Sequence, residues 1–219
     1  MTTGAGDGRV ARAERTRGRI VAATMRLIDE TGEAPTSRRI AQRAGIAERT
    51  LYLHFPDLES LHAAVADQHF GSVSDAHGPV DASLALPERI HAFACRRARV
   101  LERMTPMRRV ALRYEPGSAA LQASHRRWTA AARSELLGTF ARELDASDSP
   151  SAALSAAQAA TSWATWDQLR SAQGLSPRAA VAAVELTLRG LLGGSSATQY
   201  GRRGGRPQQR RSVSRAAQR

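Results

Sequence analysis

Apolar residues recur along this chain with the three- and four-residue spacing of helices, and almost every segment follows that pattern. The first segment, residues 15–31, places Ile20, Leu27 and Ile28 on one face, and Gly32 ends it. Further helices are predicted from residue 35, after residue 45, from residue 56, and at residues 86–103, 121–144, 150–169 and 177–192. No alternating run rich in Val, Ile or Thr predicts a strand, so the sequence predicts an all-α fold.

A turn-rich segment at residues 71–83 divides the chain into two helical parts. We therefore expect one domain at residues 15–70 and a second at residues 84–192. The two ends differ in composition from these domains: residues 1–14 are rich in glycine and arginine, and residues 193–219 contain mainly Gly, Ser, Gln and Arg. Both ends are predicted to be disordered, as a basic arm and an arginine-rich tail.

The positive charge is concentrated in two regions. The chain of 219 residues has a net charge of +12, and all 32 of its basic residues are arginine. The tail at residues 193–219 holds seven arginines and no acid, and residues 9–54 hold ten arginines and five acids. Together these regions account for the whole net charge. Such a distribution predicts an anionic partner, with nucleic acid as the first candidate.

Three features point to a cytoplasmic protein. Cys95 is the single cysteine and cannot form an internal disulfide, which fits a reducing compartment. The first residues lack the apolar stretch of a signal peptide. No run of about 18 apolar residues is long enough for a transmembrane helix. We therefore expect no membrane partner.

The sequence RRIAQRAGIAERTLYLHF, residues 38–55, predicts two short helices that meet at a fixed angle. Ala41 and Ala44 are small, so a second helix can approach the first closely. Gly45 can adopt the positive φ that a tight turn requires, and Leu51 then anchors the second helix. This is the spacing of a helix-turn-helix motif, whose second helix presents its exposed face to the major groove of DNA.

Together with its neighbours, in PTSRRIAQRAGIAERT and LYLHFPDLESL, this motif resembles the tetracycline-repressor (TetR) family of bacterial transcription regulators. The positions that match the family pattern are Thr36, Ile40, Ala41, Ala44, Gly45, Ile46, Thr50, Leu51, Tyr52, His54, Phe55 and Leu61. The resemblance covers about residues 15–70. It implies an N-terminal three-helix, helix-turn-helix DNA-binding domain, followed by a helical ligand-binding and dimerisation domain.

Three positions depart from the family pattern. Ala47 replaces the usual serine, so the recognition helix lacks a side-chain N-cap that is worth about 1 kcal/mol. Glu48 stands where a basic or neutral residue is usual, and it either accepts a hydrogen bond from cytosine N4 or repels phosphate. Leu58 replaces a lysine that approaches the DNA backbone, a loss that arginines of the first helix are placed to offset.

By resemblance, the DNA-contacting residues lie at the start of the second helix and along the third. They are Thr36, Ser37, Arg38, Ala47, Glu48, Arg49, Thr50, Tyr52 and His54. Hydroxyl, phenol and imidazole groups can donate to phosphate oxygens, and Arg49 is the candidate for bidentate recognition of guanine. For Tyr52 the alternative is partial burial in the core, and for an exposed arginine it is simple solvation.

The second domain carries most of the large side chains, and the resemblance implies that it encloses a small-molecule pocket. The candidate lining residues are His91, Phe93, Met104, Met107, Tyr114, His125, Trp128, Trp163 and Trp166. Each of them is alternatively a plain core residue. The candidate dimer-interface residues on the last two helices are Trp166, Val181, Val184, Leu188 and Leu191. The alternative is that this stripe covers the core of its own chain.

The sequence contains no pattern that predicts catalysis. His91 and Cys95 are four residues apart and share a helix face, but no third ligand stands near them in the sequence. The nucleotide-binding, hydrolase and metalloprotease motifs are missing as well. We therefore expect no catalytic residue, no metal and no cofactor.

The helix-turn-helix spacing and the resemblance to the TetR family together imply a ligand-responsive transcription regulator. In its simplest form this is a repressor that binds a palindromic double-stranded DNA operator as a homodimer and is released by a small-molecule effector. One alternative is a sequence-indifferent, architectural nucleic-acid-binding protein that acts through the arginine-rich tail. Another is a small-molecule enzyme with a vestigial DNA-binding domain, against which the missing motifs argue.

Overall fold

The structure, a computed structural model, describes residues 4–76 and 78–193, without the side chains of residues 4–7, 74 and 75. These residues form α-helices and no strand, which confirms the predicted all-α fold. The helices are α1 (Gly4–Thr31), α2 (Ser37–Ala44), α3 (Glu48–His54), α4 (Leu58–Asp75), α5 (Leu86–Tyr114), α6 (Ala119–Asp145), α7 (Pro150–Ala160), α8 (Trp163–Asp167) and α9 (Pro177–Leu192). A 3-10 turn at Glu115–Gly117 joins α5 to α6, and a π-turn at Gln168–Ala172 follows α8.

Hydroxyl caps and prolines determine where several helices begin. Thr36, Ser118, Ser162 and Ser176 each accept a hydrogen bond from the backbone N–H three residues further on, at 3.2–3.4 Å. Proline occupies the first turn of α5, α7 and α9, where no backbone N–H is required. The starts of α7 and α9 therefore agree with the sequence prediction.

The apolar side chains form two main cores that share α4 and α5. The first core joins α1–α4 and contains the fully buried Leu51 and Phe55. The second joins α4–α9 around Phe93 and Phe140, whose rings meet edge to face with their centroids 5.2 Å apart. Helix α5 crosses from one core to the other, because Met107 packs in the first core while the start of α5 packs in the second.

Helix α1 is longer than predicted at its N-terminal end. It begins at Gly4, so residues 4–14, which the sequence predicts as a disordered arm, are helical. Alanine, arginine and glutamate, which favour helices, occupy most positions from residue 9 onward in this segment. Helix α4 likewise continues into the predicted connection at residues 71–83. The disorder predicted at residues 1–3 and 194–219 lies outside the described residues and stays a prediction.

The single helix predicted at residues 150–169 is divided in two. Ser162 separates α7 from α8 and caps α8 by accepting a hydrogen bond from the backbone N–H of Thr165. Hydroxyl side chains compete with the helical backbone for such bonds, which explains the break. The break also sets Trp163 against α5, where its indole N–H donates to the Thr105 hydroxyl at 3.1 Å.

Helix α5 continues past its predicted end at Arg103 and through Pro106. A proline inside a helix removes one backbone hydrogen bond and is unfavourable by itself. Met104, Met107 and Val110 flank this proline and are buried. Their packing against both cores stabilises the helix across a residue that, by sequence alone, indicates its end.

Candidate nucleic-acid interface and ligand cavities

The turn between α2 and α3 has the geometry that the sequence predicts. Gly45 lies in the left-handed region, with φ 65° and ψ 43°, which other residues adopt at a cost. The backbone N–H of Ile46 donates to the Ala41 carbonyl at 3.0 Å and closes α2 in the manner of a Schellman motif. Ala41, Ala44 and Leu51 are buried beneath the turn. Helix α3 is therefore held at a defined angle to α2.

Helix α1 fastens the C-terminal end of α3. Arg17 Nη1 donates to the His54 carbonyl at 2.9 Å, and the Arg17 guanidinium lies 4.0 Å from the centroid of the Phe55 ring. A second link joins Arg43 to both carboxylate oxygens of Glu30 at 2.7 and 2.8 Å. That pair is exposed, so its contribution to stability is small. Arg17 is the stronger determinant of where α3 lies.

The outward side of α3 is accessible to a partner. Arg49 is exposed, Tyr52 is 45 % exposed and Leu53 is 75 % exposed. The exposure of Tyr52 argues against the alternative that this side chain belongs to the core. The predicted DNA contacts with exposed or half-buried side chains are Thr36, Ser37, Arg38, Ala47, Glu48, Arg49, Thr50, Tyr52 and His54.

The N-termini of α2 and α3 meet through their side chains. The Ser37 hydroxyl donates to the Glu48 carboxylate. The hydroxyl proton of Ser37, which was expected to contact a DNA phosphate, therefore already has an acceptor within the chain. Glu48 accordingly holds the two helices together. Thr36 accepts from the backbone N–H of Arg39 and keeps its own hydroxyl proton for another acceptor. Ala47 makes no side-chain cap, which confirms that prediction.

Two adjoining cavities lie in the C-terminal part of the fold and share a wall formed by Arg108, His125 and Trp128. The larger has a volume of about 440 Å³ and is bounded by α4, α5 and α6; we call it the α4–α6 cavity. The smaller has a volume of about 240 Å³ and is bounded by α5, α6, α7 and α8; we call it the α5–α8 cavity. Both are lined mainly by apolar and aromatic side chains, as small-molecule sites commonly are.

Five of the predicted ligand-contacting residues line these cavities. They are Met104, Met107, His125, Trp128 and Trp163. The remaining four lie outside both cavities. They are His91, Phe93, Tyr114 and Trp166.

The four residues outside the cavities have other partners. Phe93 is fully buried against Phe140. The indole N–H of Trp166 donates to Glu102 Oε1 at 3.1 Å, and the ring is buried between helices. Tyr114 is 41 % exposed at the end of α5, with its ring centroid 5.3 Å from that of His62, and His91 pairs with Glu185 of α9. Residue type alone did not distinguish these positions from the lining.

Two arginines that the sequence did not predict as lining residues, Arg97 and Arg108, also line the cavities. A signal for them was present. Both fall at three- and four-residue intervals on the same stripe of α5 as Phe93, Leu101 and Met104. A cation on an apolar stripe is either paired inside the protein or reserved for a ligand, because burial of an isolated charge is costly.

The charge of Arg97 is less well balanced by neighbouring carboxylates than the charge of Arg108. It is 4 % exposed, its Nη2 donates to the Thr161 carbonyl at 2.9 Å, and its Nε has no partner among the described residues. Burial lowers the pKa of Arg97 to about 10, an effect that Glu135 opposes and Arg96 reinforces. The Glu135 carboxylate is itself hydrogen-bonded to Arg96. Arg97 is therefore a buried cation at neutral pH without a carboxylate bonded to it in the described part of the chain.

Arg108 and the neighbouring rings complete the shared wall. Arg108 Nη1 pairs with Glu115 Oε2 at 2.6 Å, and its guanidinium lies 5.9 Å from the ring centroids of both Trp128 and Trp163. Burial, followed by the charge of Arg108, lowers the pKa of His125, so this imidazole is mostly neutral at pH 7. Within the described residues, Arg108 Nε and Trp128 Nε1 have no hydrogen-bond partner.

The predicted interface stripe on α9 faces the core of its own chain. Val184 and Leu188 are buried in the second core, and Val181 and Leu191 pack against it half-buried. This packing, together with the burial of Trp166, favours the alternative that the stripe covers the core of its own chain, and the assignment of these residues to a dimer interface stays a prediction. The opposite face of α9 is exposed and carries Leu186, which is 71 % exposed.

The fold brings a third side chain to His91 and Cys95. Glu185 of α9 lies beside them: His91 Nδ1 is 2.6 Å from Glu185 Oε1, and His91 Nε2 is 3.7 Å from Cys95 Sγ. Such a trio has the donor types of a zinc site. However, Arg189 Nη2 pairs with Glu185 Oε2 at 2.6 Å and places a positive charge there, which opposes a cation. We infer no metal centre from it, and the expectation of none stays a prediction.

Comparison with known proteins agrees with this geometry. Residues 20–65, which span the end of α1, the helix-turn-helix and the start of α4, match the profile of the bacterial regulatory proteins of the tetR family. The structure is similar to that of a protein from Mesorhizobium loti MAFF303099 assigned to the TetR family of transcriptional regulators. That similarity has a TM-score of 0.64 at 19 % identity over 83 % of this chain and 97 % of that one. Residues 20–65 therefore form a DNA-binding domain of the tetR type.

Two further solved structures resemble this chain. A transcriptional regulator from Rhodococcus sp. Rha1 is similar with a TM-score of 0.63 at 16 % identity, over 81 % of this chain and 96 % of that one. RolR in complex with its ligand resorcinol is similar with a TM-score of 0.55 at 22 % identity, over 80 % and 88 % respectively. At these identities the likeness establishes the fold. No curated protein sequence matches the chain.

The described helices include none that is both long enough and apolar enough to cross a membrane.

Proposed function

We propose that this protein is a regulator of the TetR family: a cytoplasmic, non-enzymatic repressor that binds a palindromic operator as a homodimer and releases it when a small-molecule effector occupies its cavities. The observation that supports this most directly concerns Met107. This side chain lines the α4–α6 cavity and also packs in the core of the DNA-binding domain. A ligand in the cavity therefore contacts a residue on which the position of the helix-turn-helix depends.

Helix α4 provides a second route between the cavity and the DNA-binding helices. Its His69 and Phe70 line the α4–α6 cavity, while its Leu61 and Val65 are buried in the core with α1 and α3. A ligand that moves α4 relative to α6 moves the recognition helix as well. The effector shifts the balance between the two arrangements only by its difference in affinity for them.

The contact that such a ligand disturbs joins α4 to α6 at Asp67. Ser124 donates to Asp67 Oδ1 at 2.7 Å, and Arg127 donates to Asp67 Oδ2 at 2.5 Å. All three residues also line the α4–α6 cavity. Polar links at the edge of an otherwise apolar cavity can be exchanged for ligand contacts without breaking the core.

On the DNA side, we assign base recognition to Arg49 and backbone contacts to the hydroxyl, phenol and imidazole groups around it. The accessible groups are Thr36, Arg38, Thr50, Tyr52 and His54. Ser37 and Glu48 hold α2 and α3 together through their hydrogen bond, so their role is to fix the spacing of the motif. Phosphate contacts position the helix, and contacts to base edges supply the specificity.

A second copy of the chain supplies the other half of the site. The outer face of α9 suits this contact because Ala182 and Gly190 are small and exposed and flank the exposed Leu186. Small residues allow two helices to approach closely, and an exposed leucine gains free energy when it is covered. Two recognition helices held by such a dimer read two half-sites about one helical turn of DNA apart.

Leu186→Arg is expected to convert the dimer to a monomer, since it places two like charges at the centre of a symmetric contact. Light scattering coupled to size-exclusion chromatography measures this as a halved molar mass at micromolar concentration. Val10→Arg, which alters an exposed apolar residue of α1, is the matched control and keeps the mass of the parent protein. A Leu186→Arg protein that remains dimeric would place the interface elsewhere.

The cavities suit a ligand of about the size that RolR binds. RolR has been solved with resorcinol, a single ring with two hydroxyl groups. The α5–α8 cavity, with a volume of about 240 Å³, is smaller than the usual range for drug-sized ligands of roughly 300–1,000 Å³. We therefore propose a small aromatic effector.

The experiment that tests this function is selection of bound sites from random double-stranded DNA. It uses the full chain and, in parallel, a chain that ends at Gly194 and so lacks most of the arginine-rich tail. A specific regulator returns the same palindrome with both proteins, and removal of the tail lowers only salt-sensitive, non-specific binding.

The opposite result would favour the architectural alternative, for which the seven arginines of residues 193–219 are the supporting observation. In that case the full chain binds DNA without a motif, and the shortened chain, still folded and dimeric, binds none.

A further inference from the structure

We infer that the ligand of the α5–α8 cavity is a monocyclic aromatic anion, such as a benzoate-type carboxylate, whose negative group is received by Arg97. This inference rests on the proposed function for its biological meaning, because it names the chemical class of the effector. It concerns the α5–α8 cavity, which meets the α4–α6 cavity at the wall formed by Arg108, His125 and Trp128.

The α5–α8 cavity is positively charged. Two arginines, Arg97 and Arg108, line it, and no aspartate or glutamate is among its described lining residues. Arg108 has a partner in Glu115, outside the lining. Arg97 has none among the described carboxylates and is bonded through a single described contact, to the Thr161 carbonyl. A buried cation in this situation is costly unless an anion pairs with it.

The lining of the α5–α8 cavity also contains polar groups without hydrogen-bond partners among the described residues. Four nitrogen atoms of the lining have no hydrogen-bond partner in the described part of the chain: His125 Nδ1, whose role depends on the tautomer, and the three donors Arg97 Nε, Arg108 Nε and Trp128 Nε1. All three carry a hydrogen and can only donate. Their complement is a ligand with several acceptor oxygens. A water molecule would satisfy one donor, but it would not neutralise the charge of Arg97.

The aromatic walls and the small volume of the α5–α8 cavity suit a ligand with a single flat ring. Trp128 and Trp163 contribute indole rings, and the Arg108 guanidinium lies 5.9 Å from the centroid of each. His125, whose pKa is lowered by burial, adds a neutral ring. Aromatic walls favour a flat ring between them. A volume of about 240 Å³ accommodates one ring with a short substituent and excludes larger fused systems.

The test compares acids with neutral analogues of the same shape. Isothermal titration of the full-length protein at pH 7.5 and constant ionic strength uses benzoate with benzamide, salicylate with salicylamide, and phenylacetate with phenylacetamide. Resorcinol serves as a neutral phenol. We expect at least one acid to bind with a Kd below about 1 mM and roughly tenfold or more tightly than its amide, as the strength of a hydrogen bond between charged groups predicts.

The variant Arg97→Met is expected to weaken binding of that acid roughly 10- to 100-fold and to leave amide binding unchanged. Arg97→Lys retains the charge and recovers part of the preference for the acid. The matched control is Arg99→Met, which alters an exposed arginine of the same helix and leaves both affinities as they are.

A stability measurement separates a ligand-binding role of Arg97 from a structural one. Removal of an unpaired buried charge leaves the thermal midpoint of the ligand-free protein unchanged or raises it. A large fall of the midpoint in Arg97→Met would make Arg97 a structural residue and overturn the inference. It is overturned as well if no acid binds at 10 mM, or if acids, amides and resorcinol bind equally.

Displacement of the selected operator distinguishes the two proposals. An acid that binds through Arg97 and releases the DNA supports both the ligand class and the proposed function. An acid that binds through Arg97 without releasing the DNA supports the ligand class and contradicts its role as the effector.

Discussion

Arg49→Ala and Tyr52→Ala are each expected to remove most of the affinity for the operator while the protein stays folded and dimeric. Both side chains are exposed on α3 and make no hydrogen bond or ion pair within the described residues, so their truncation costs the fold little. A bidentate arginine–guanine contact contributes about 1–3 kcal/mol, and a dimer makes it twice. The loss for Arg49→Ala is therefore roughly 30-fold to more than 10⁴-fold in Kd.

Fluorescence anisotropy with the selected operator and with a scrambled duplex measures this loss. The two variants differ in kind: Arg49→Ala also relaxes the preference at one base pair, whereas Tyr52→Ala weakens binding to all sequences alike. Arg142→Ala, an exposed arginine of α6, is the control and binds as the parent protein does. Sequence-specific binding retained by both α3 variants would contradict the assignment of α3 as the recognition helix.

Phe55→Ala is expected to destabilise the DNA-binding domain by about 3–5 kcal/mol, a large share of the free energy of unfolding of such a domain. Phe55 is fully buried in the first core, and the Arg17 guanidinium lies 4.0 Å from its ring centroid. Truncation leaves a cavity and removes this contact. Without the ring, the Arg17 guanidinium is held less firmly, and its hydrogen bond to the His54 carbonyl at the end of α3 is weakened.

Leu53→Ala is the matched control for Phe55→Ala. The two positions are separated by one residue, but Leu53 is 75 % exposed. We expect Leu53→Ala to change the free energy of unfolding of the protein by no more than about 0.5 kcal/mol. Denaturant unfolding followed by circular dichroism compares the two variants directly. Equal losses of stability in the two variants would contradict the assignment of Phe55 to the core and of Leu53 to the surface.

The helix-turn-helix was predictable in detail because its determinants are local. Gly45 is the residue type that tolerates the left-handed turn, Ala41 and Ala44 are small where two helices touch, and Leu51 lies at the spacing that buries it. Thr36 and Ser162 illustrate the limit of the same reasoning. Both are hydroxyl caps, yet the sequence predicts a helix start only at the first, because no proline or glycine marks the second.

The ligand site was predictable only in part because residue type does not say which way a helix faces. Met104 and Trp128 line a cavity, whereas Phe93 and Trp166 fill the core with the same kind of side chain. Arg97 was overlooked because an arginine in a sequence suggests solvent. Its position on the apolar stripe of α5 was visible, but its burial depends on α6, α7 and α8 packing over it.

The sequence by itself determined that this protein is all-helical and that it carries the DNA-binding motif of the TetR family. The helical period, the caps and the glycine turn each depend on a few neighbouring residues, so they can be identified directly from the sequence. The tertiary structure alone decided which side of α9 is covered, that Glu185 joins His91, and that Arg97 is buried beside two indole rings. These outcomes depend on contacts between residues distant in sequence, and only packing brings such residues together.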